Sequence, residues 1–194
     1  MARAARTRVF VPEPLTPDTE IDLPKEAAHH LGAVLRARRG DEVTLFDGRG
    51  GEYVAELVEL ARRAARCRVG GFTAVEREAA VRVTLYQALA RGTKMDLVVQ
   101  KATELGAAGV GPFVAARSNV RLDASKARER VEHWRRVAIA ACEQCGRNRI
   151  PEIAEVVDAA VLTAGDAAAF YASPEATTHL AKAAARAIEE QRPL

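Results

Sequence analysis

Polar and turn-forming residues are concentrated in one short segment, Glu143-Gln144-Cys145-Gly146-Arg147-Asn148. The segment lies at the end of a predicted long helix, which Gly146 terminates. Side chains beyond that glycine, Arg147 and Asn148, could reach a ligand at the edge of a sheet. The carboxyl end of a helix disfavours an anion, so Arg147 could equally complement the helix dipole and bind the last carbonyls. The pattern therefore indicates either a ligand site or a helix cap.

Cys142 and Cys145 have the C-x-x-C spacing of zinc and redox sites. A zinc ion would need two further ligands, and Cys67 and the four histidines are scattered without ligand spacing. A redox pair would stand at a helix start, where the dipole lowers a thiol pKa, whereas this pair stands at a helix end. We therefore expect two half-buried helix cysteines and no metal.

Other polar motifs are less specific. Asp47-Gly-Arg-Gly-Gly51 is glycine-rich, but it joins two predicted antiparallel strands and so favours a hairpin turn over a phosphate cradle. His29 and His30, with Arg36 nearby, form either an RNA-facing or catalytic cluster or ordinary cap and core partners. Lys94, Lys101 and Glu104 share one helical stripe, for which a solvated face is the more common explanation.

Composition limits the classes of protein. The chain has 194 residues, of which 48% are hydrophobic and 28% charged, so a folded core is expected rather than disorder. Its three cysteines argue against a disulfide scaffold, and no apolar run reaches the roughly 20 residues that span a bilayer. We expect a soluble cytoplasmic protein without a membrane partner. The net charge of +3 is mild, but clustered arginines would suit phosphate contact.

The order of predicted elements divides the chain into two domains of an α+β protein. Residues 1–75 read as a compact β-barrel of short strands with one small helix, residues 25–36. A polar linker, residues 76–80, precedes an α/β domain over residues 81–194, in which strands and helices alternate and predict a parallel sheet. The helix at 93–105 is expected to start at a Thr93 cap and to bury Leu97, Val98, Ala102 and Leu105. Strands are also predicted at 153–157 and 168–171, and the alternation after a last helix at 177–190 calls for one more strand, so the domain is expected to be incomplete.

Several sequence blocks over residues 8–157 occur together in a fixed order. The most specific block is Ala138-Ile-Ala-Ala-Cys-Glu-Gln-Cys-Gly-Arg-Asn-Arg-Ile-Pro-Glu-Ile153. The other blocks are Arg8-Val-Phe-Val-Pro12, His30-Leu31, Val34-Leu35-Arg36, Leu45-Phe-Asp-Gly48, Gln87-Ala-Leu89, Lys94-Met95, Gln100-Lys-Ala-Thr-Glu-Leu-Gly106, Arg117-Ser118 and Trp134. By these blocks the chain resembles the 16S rRNA uridine-N3 methyltransferases of the RsmE family, in the SPOUT superfamily.

The resemblance implies a PUA-like RNA-binding β-barrel followed by a SPOUT-type α/β methyltransferase domain with a knotted carboxyl-terminal segment. It also implies S-adenosylmethionine as methyl donor, 16S rRNA in the small ribosomal subunit as partner, and a homodimer whose active sites are completed across the subunit interface. The product is N3-methyluridine.

This chemistry assigns roles to individual residues. Uridine N3 becomes a good nucleophile only when its proton is removed or its anion is stabilised. Glu143 is then the available carboxylate and Arg147 the cation that stabilises the anion, which makes both catalytic candidates. Gln144 and Asn148 would read the base edge. The remaining candidates for RNA binding are Arg8, His30, Arg36, Lys94, Lys101 and Arg117.

The sequence departs from the family in one respect. Neither a Gly-Pro-Glu-Gly-Gly-like loop nor a Leu-Arg-Thr-Glu-Thr-like segment, which together form the family's knot and cofactor pocket, occurs in residues 1–194. We therefore assign no cofactor-binding residue and expect this chain alone to bind no S-adenosylmethionine and to methylate nothing. The alternative is a non-catalytic rRNA-binding protein.

Overall fold

The computed structural model describes residues 7–116, 123–162 and 168–189. The first part, here called the β domain, is a five-stranded sheet in the order β1-β3-β4-β5-β2. β1 runs parallel to β3 and the other pairs are antiparallel. Its elements are β1 (Arg8–Phe10), β2 (Glu20–Asp22), α1 (Lys25–His29) with a π-helical turn (His30–Val34), β3 (Glu42–Phe46), β4 (Glu52–Ala61) and β5 (Ala64–Thr73).

Alternation along the strands builds the core of the β domain. On β5, Ala65, Cys67 and Val69 are buried while the residues between them face solvent, which is the period of two expected for a half-buried strand. Leu45 and Leu57 from the neighbouring strands join the same apolar cluster. The predicted β3–β4 hairpin is confirmed, with Gly48, Gly50 and Gly51 of its turn at positive φ, a backbone region that glycine enters without steric cost.

The second part, here called the α/β domain, contains a four-stranded parallel sheet in which β6, β7 and β8 are neighbours and β9 also pairs with β7. Parallel strands joined by helices confirm the predicted architecture. Its elements are β6 (Thr84–Ala88), α2 (Lys94–Glu104), β7 (Gly109–Val114), α3 (Ala124–Cys145), β8 (Glu152–Ile153), β9 (Val157–Asp158), a 3₁₀ turn (Ala159–Val161) and α4 (Leu180–Glu189).

Helix α3 begins and ends where its sequence predicts. The Asp123 carboxylate accepts from the Lys126 amide at the first turn, and Gly146 ends the helix at φ 91°, the left-handed conformation of a glycine cap. On its inner face Val131, Trp134 and Ala138 pack with Met95 and Val99 of α2.

Three details of the α/β domain differ from prediction. Helix α2 buries Met95, Val99, Ala102 and Thr103, whereas Leu97 and Leu105 are exposed, because the face that packs against α3 carries Met95 and Val99. Thr93 precedes α2 but makes no side-chain capping bond. Residues 168–171 form no strand.

The predicted domain boundaries at 75 and 81 remain a prediction, although the change of architecture falls between β5 and β6. Within the described residues, no helix is long and apolar enough to cross a membrane.

Candidate functional site

The β domain and the α/β domain meet at the polar segment that follows α3. Five residues, Arg8, Phe10, Glu143, Arg147 and Asn148, form this contact and are called the seam. Arg8 and Phe10 belong to β1, whereas the other three stand at the end of α3 and just beyond it. The structure thus brings together Arg8, Glu143, Arg147 and Asn148, four of the residues predicted from sequence.

Arg8 is the residue through which the β domain enters the seam. Its guanidinium donates to Glu52 (2.5 Å), to the Arg147 carbonyl (3.2 Å) and to the Asn148 side-chain oxygen. The Arg8 Cζ atom lies 4.9 Å from the centroid of the Phe46 ring, a cation–π contact. Its Nε atom is buried and has no hydrogen-bond partner among the residues that the structure describes.

Glu52, which the sequence analysis missed, joins this network from β4. Arg77 donates to both of its oxygens, at 2.9 and 3.3 Å. Burial acts to raise the Glu52 pKa, but the bonds and charges of Arg77 and Arg8 together outweigh it and leave the pKa lowered. Glu52 is therefore held as a carboxylate between two guanidinium groups.

Arg147 is directed inward. Its side chain is 5% exposed and is paired with Glu78, to which it donates from both Nε (2.9 Å) and Nη2. Its Nη1 donates to the carbonyls of Thr103 and Ala107, each at 2.9 Å. A bidentate carboxylate pair plus two carbonyls occupies most of the guanidinium donors. This arrangement differs from the expectation that Arg147 reaches a ligand at the sheet edge.

Asn148 is fully buried, at 0% exposure. Its side-chain oxygen accepts from Arg8, and its side-chain nitrogen donates to the Val75 carbonyl at 3.0 Å. Both ends of this side chain are thus engaged across the seam, again unlike a residue poised to read a base edge.

The glycine-rich turn after β3 packs closely against Arg149 and Phe10. Arg149 donates to Glu76 at 2.8 Å, and a Cβ built on Gly50 would lie only 2.7 Å from an Arg149 nitrogen. A Cβ on Gly48 would lie 3.4 Å from Phe10. The turn therefore supports contact between the domains, a role that its glycines permit by close approach.

Glu143 is a carboxylate whose environment raises its pKa. It is half-buried, and one oxygen accepts from the Phe10 amide at 3.0 Å. Burial raises its pKa, while this bond and the positive charges of His30 and Arg8 act in the opposite direction without cancelling the shift. A carboxyl group with a raised pKa is better suited to accept a proton near neutral pH.

One cavity borders the seam through Phe10, and a smaller one lies elsewhere in the α/β domain. The larger, about 390 Å³, opens between the domains and is lined by apolar residues together with Arg135, Glu152 and Glu155; Phe10, Ile139, Ile150 and Ile153 supply its apolar surface. The smaller, about 160 Å³, lies beyond the carboxyl end of β6. There Asp96 accepts from Trp134 (3.2 Å) and lies 3.0 Å from His133. Ligands of parallel α/β sheets bind at this edge.

The other predicted site residues lie apart from the seam or at its margin. Gln144 is exposed on the last turn of α3, and Arg36 is exposed at the end of the π-helical turn. Lys94 and Lys101 are exposed on α2, and Lys101 pairs with Glu104 at 2.6 Å. His30 is exposed near Glu143. Arg117 lies outside the described residues.

Glu78 and Arg77 were also missed by the sequence analysis. The feature of the sequence that indicates both residues is the alternating charge of Glu76-Arg77-Glu78. The sequence analysis predicts a linker for this segment. In the structure this segment supplies the partners of Glu52, Arg147 and Arg149.

The cysteines of the C-x-x-C pair are free thiols. Burial raises the pKa of Cys142 to about 12, and its sulfur lies 3.5 Å from the Arg149 carbonyl. A thiol with so high a pKa is a poor nucleophile. Among the described residues, no group of three or more His, Cys, Asp or Glu side chains is placed to hold a metal ion.

Comparisons with known proteins agree with this architecture. Residues 23–70 match the family described as the RNA methyltransferase PUA domain, and residues 77–193 match the RNA methyltransferase domain. The ribosomal RNA small subunit methyltransferase E of Bacillus subtilis is 37% identical over 131 residues, which cover 68% of this chain and 51% of that protein. The Synechocystis protein of the same name is 31% identical, over 86% of this chain and 51% of that protein.

Solved structures show the same similarity. The ribosomal RNA small subunit methyltransferase E of Neisseria gonorrhoeae, bound to S-adenosylmethionine, superposes with a TM-score of 0.75 and 34% identity, over 79% of this chain and 63% of that one. A Legionella pneumophila structure with the same cofactor bound gives a TM-score of 0.76 and 34% identity, over 80% of this chain and 64% of that one.

This chain spans about half the length of the Bacillus and Synechocystis relatives. Along this chain the PUA-domain match, residues 23–70, precedes the methyltransferase-domain match, residues 77–193. The chain therefore belongs to the RNA methyltransferase family that includes the ribosomal RNA small subunit methyltransferases E.

Proposed function

We propose that the protein containing this chain transfers a methyl group from S-adenosylmethionine to N3 of a uridine in 16S rRNA. The observation that carries the proposal is the similarity to the Neisseria enzyme, which has the same fold over four-fifths of this chain and binds that cofactor. The PUA-like domain supports an RNA substrate.

Glu143 is the residue that we propose to accept the N3 proton. Its pKa is raised by burial, so the carboxylate retains more basicity than an exposed glutamate. Gln144, the next residue and exposed, is the amide that we propose to read the base. Removing the proton before methyl transfer generates the nucleophile.

Arg147 is better explained as a positioning residue than as a group that touches the base. Its ion pair with Glu78 and its bonds to two carbonyls fix the loop that follows α3. Asn148, bound to Arg8 and Val75, has the same effect. We propose that both hold the end of α3, and with it Glu143 and Gln144, against the β domain.

The described residues do not fit S-adenosylmethionine. The larger cavity is an open groove between the domains, and the smaller one holds about 160 Å³. The two family motifs that would form the cofactor pocket do not occur in the sequence. We therefore derive no step through the cofactor, and we propose that isolated residues 1–194 do not bind it.

The partners follow from the proposed reaction. We propose cytoplasmic action on the small ribosomal subunit during ribosome biogenesis, by a SPOUT-type homodimer.

The test is methyl transfer in vitro with the gene product isolated from its own organism. Small ribosomal subunits from a strain in which the gene is disrupted serve as substrate, with S-adenosylmethionine that carries a tritiated methyl group. We expect tritium in N3-methyluridine of 16S rRNA. Tritium in another nucleoside would contradict the assignment of the atom, and binding to the subunits without transfer would favour the alternative of a non-catalytic rRNA-binding protein.

A further inference from the structure

The segment that connects the two domains carries three consecutive charged residues, Glu76, Arg77 and Glu78, here called the strap. The segment runs from the end of β5 at Thr73 to the start of β6 at Thr84 and contains no helix or strand. Each side chain of the strap forms an ion pair with a different residue. Linkers between independent domains are flexible and make few contacts, so these pairs distinguish the strap from a simple linker.

The two acidic residues of the strap contact the α/β domain. Glu76 accepts from Arg149 Nε at 2.8 Å, and Glu78 accepts from Arg147 Nε at 2.9 Å. Both arginines belong to the loop that follows α3. The pair between Arg147 and Glu78 is largely buried, whereas the pair between Arg149 and Glu76 is about half-exposed. The strap is thus fixed to this loop at two points.

The basic residue between these acids contacts the β domain. Arg77 donates to both carboxylate oxygens of Glu52, at 2.9 and 3.3 Å, and Glu52 is the first residue of β4. Glu52 also accepts from Arg8 of β1. The direction of the contacts therefore alternates along the strap, with each acid bound to the α/β domain and the arginine bound to the β domain.

We propose that the strap couples the two domains, so that they unfold together while its ion pairs hold and separately once the link through Arg77 is broken. Exposed ion pairs contribute little to stability, but this pair is bidentate and its side chains are only 38% (Arg77) and 19% (Glu52) exposed. Because salt screens partly exposed charges, the coupling weakens as ionic strength rises. This inference does not depend on the reaction that the protein catalyses.

Each domain contains a buried cysteine that reports its unfolding. Cys67 in the β domain and Cys142 on α3 are both 0% exposed, and both are free thiols. A short pulse of iodoacetamide at increasing urea concentration therefore labels each thiol when its own domain has opened. Cleavage after glutamate separates the two cysteines, because Glu132 and Glu143 flank Cys142. Mass spectrometry of the peptides then gives one urea midpoint for each domain.

A small cavity in one domain tests whether the other domain responds. Val43→Ala shortens a side chain in the core of the β domain and leaves the α/β domain unchanged. In a coupled protein it lowers both midpoints, because neither domain opens alone. The same substitution is made together with Arg77→Met, which removes the strap's guanidinium. Arg82→Met is the matched control, since Arg82 is an exposed arginine of the same connecting segment.

We expect Val43→Ala to lower the Cys67 and Cys142 midpoints equally, by about 0.5–1 M urea, in the otherwise wild-type chain at about 0.1 M salt. The Arg82→Met background should give the same result. In the Arg77→Met background the Cys67 midpoint should fall by that amount and the Cys142 midpoint by less than half as much. In about 1 M sodium chloride the chain with Arg77 intact should behave like Arg77→Met, because the screening length falls to about 3 Å.

Other results overturn the inference. Equal shifts of both midpoints in the Arg77→Met background would show that the seam couples the domains without the strap. A shift confined to Cys67 in the chain with Arg77 intact, at the lower salt concentration, would show that the domains are not coupled. Coupling that survives the higher salt concentration, or that is lost in Arg82→Met, would refute an ion pair of Arg77 as its cause. None of these results bears on methyl transfer, which has its own assay.

Discussion

The Arg8 guanidinium in the first β-strand donates to the Asn148 side-chain oxygen, across 140 positions of sequence. This bond joins the PUA-like domain to the loop after the long helix of the methyltransferase domain. The same loop carries Arg147, paired with Glu78. Residues of the family's most specific block therefore form contacts between the two domains.

Asn148→Leu is expected to reduce the free energy of unfolding by about 2–3 kcal/mol, because it removes one partner from the Arg8 guanidinium and leaves the buried Val75 carbonyl unpaired. Urea denaturation measures the change. Gln144→Leu, at an exposed position of the same segment, is the control and is expected to change stability by less than about 0.5 kcal/mol. Equal stability of the two variants would show that the seam contributes little.

Arg147→Met is expected to cost about 3–5 kcal/mol of unfolding free energy, since it breaks a largely buried ion pair with Glu78 and leaves two carbonyls without their donor. Arg66→Met, which removes an exposed ion pair with Asp22, should have a far smaller effect. Thermal and urea unfolding provide the readout. A variant of normal stability that has lost methyl transfer would instead identify Arg147 as a catalytic residue.

The Glu143 carboxyl group makes the free energy of unfolding depend on pH. Burial raises its pKa above the ordinary value of 4.5. As pH rises, the carboxyl group therefore loses its proton in the unfolded state at a lower pH than in the folded state. This residue therefore favours the folded state below that pH and loses the contribution as pH rises through the folded-state pKa. Glu143→Gln should gain stability relative to the wild type as pH rises from 4.5 through the folded-state pKa of Glu143. Unfolding measured across that range tests the sign, with Glu129→Gln, at an exposed position, as control.

Gly50 tests the docking of the β3–β4 turn. Gly50→Ala and Gly40→Ala both place a side chain at positive φ, 98° and 90°, which costs about 1–2 kcal/mol. Only at Gly50 does the new Cβ meet another group, Arg149, whereas at Gly40 nothing lies within 4 Å. Gly50→Ala should therefore be the more destabilising, and Arg149→Ala should remove the difference. A difference that persists in the Arg149→Ala background would refute docking through that side chain.

Local signals explain what could be predicted from the sequence. Asp123 caps the start of α3 and Gly146 caps its end, and Gly48, Gly50 and Gly51 indicate a hairpin turn. The buried face of α2 was harder to predict, because Leu97 and Leu105 are as apolar as Met95 and Val99, and packing against the distant helix α3 decides which residues are covered.

The site was predicted in part for the same reason. The concentration of polar residues predicts a site at positions 143–148. No local pattern shows that Arg147 points inward to Glu78 or that Asn148 contacts Arg8. Those contacts depend on how two domains pack, over separations that spacing rules do not reach. The charged segment Glu76-Arg77-Glu78 reads in the sequence as part of a polar linker, because its partners lie in distant elements.

The most direct measurement is nucleoside mass spectrometry of 16S rRNA from the source organism, with and without an intact copy of the gene. We predict that N3-methyluridine is present in the parent strain, absent after disruption and restored when the intact gene is returned. Restoration should fail with a Glu143→Ala copy that still folds. An unchanged amount of N3-methyluridine in the disrupted strain would contradict the proposed function.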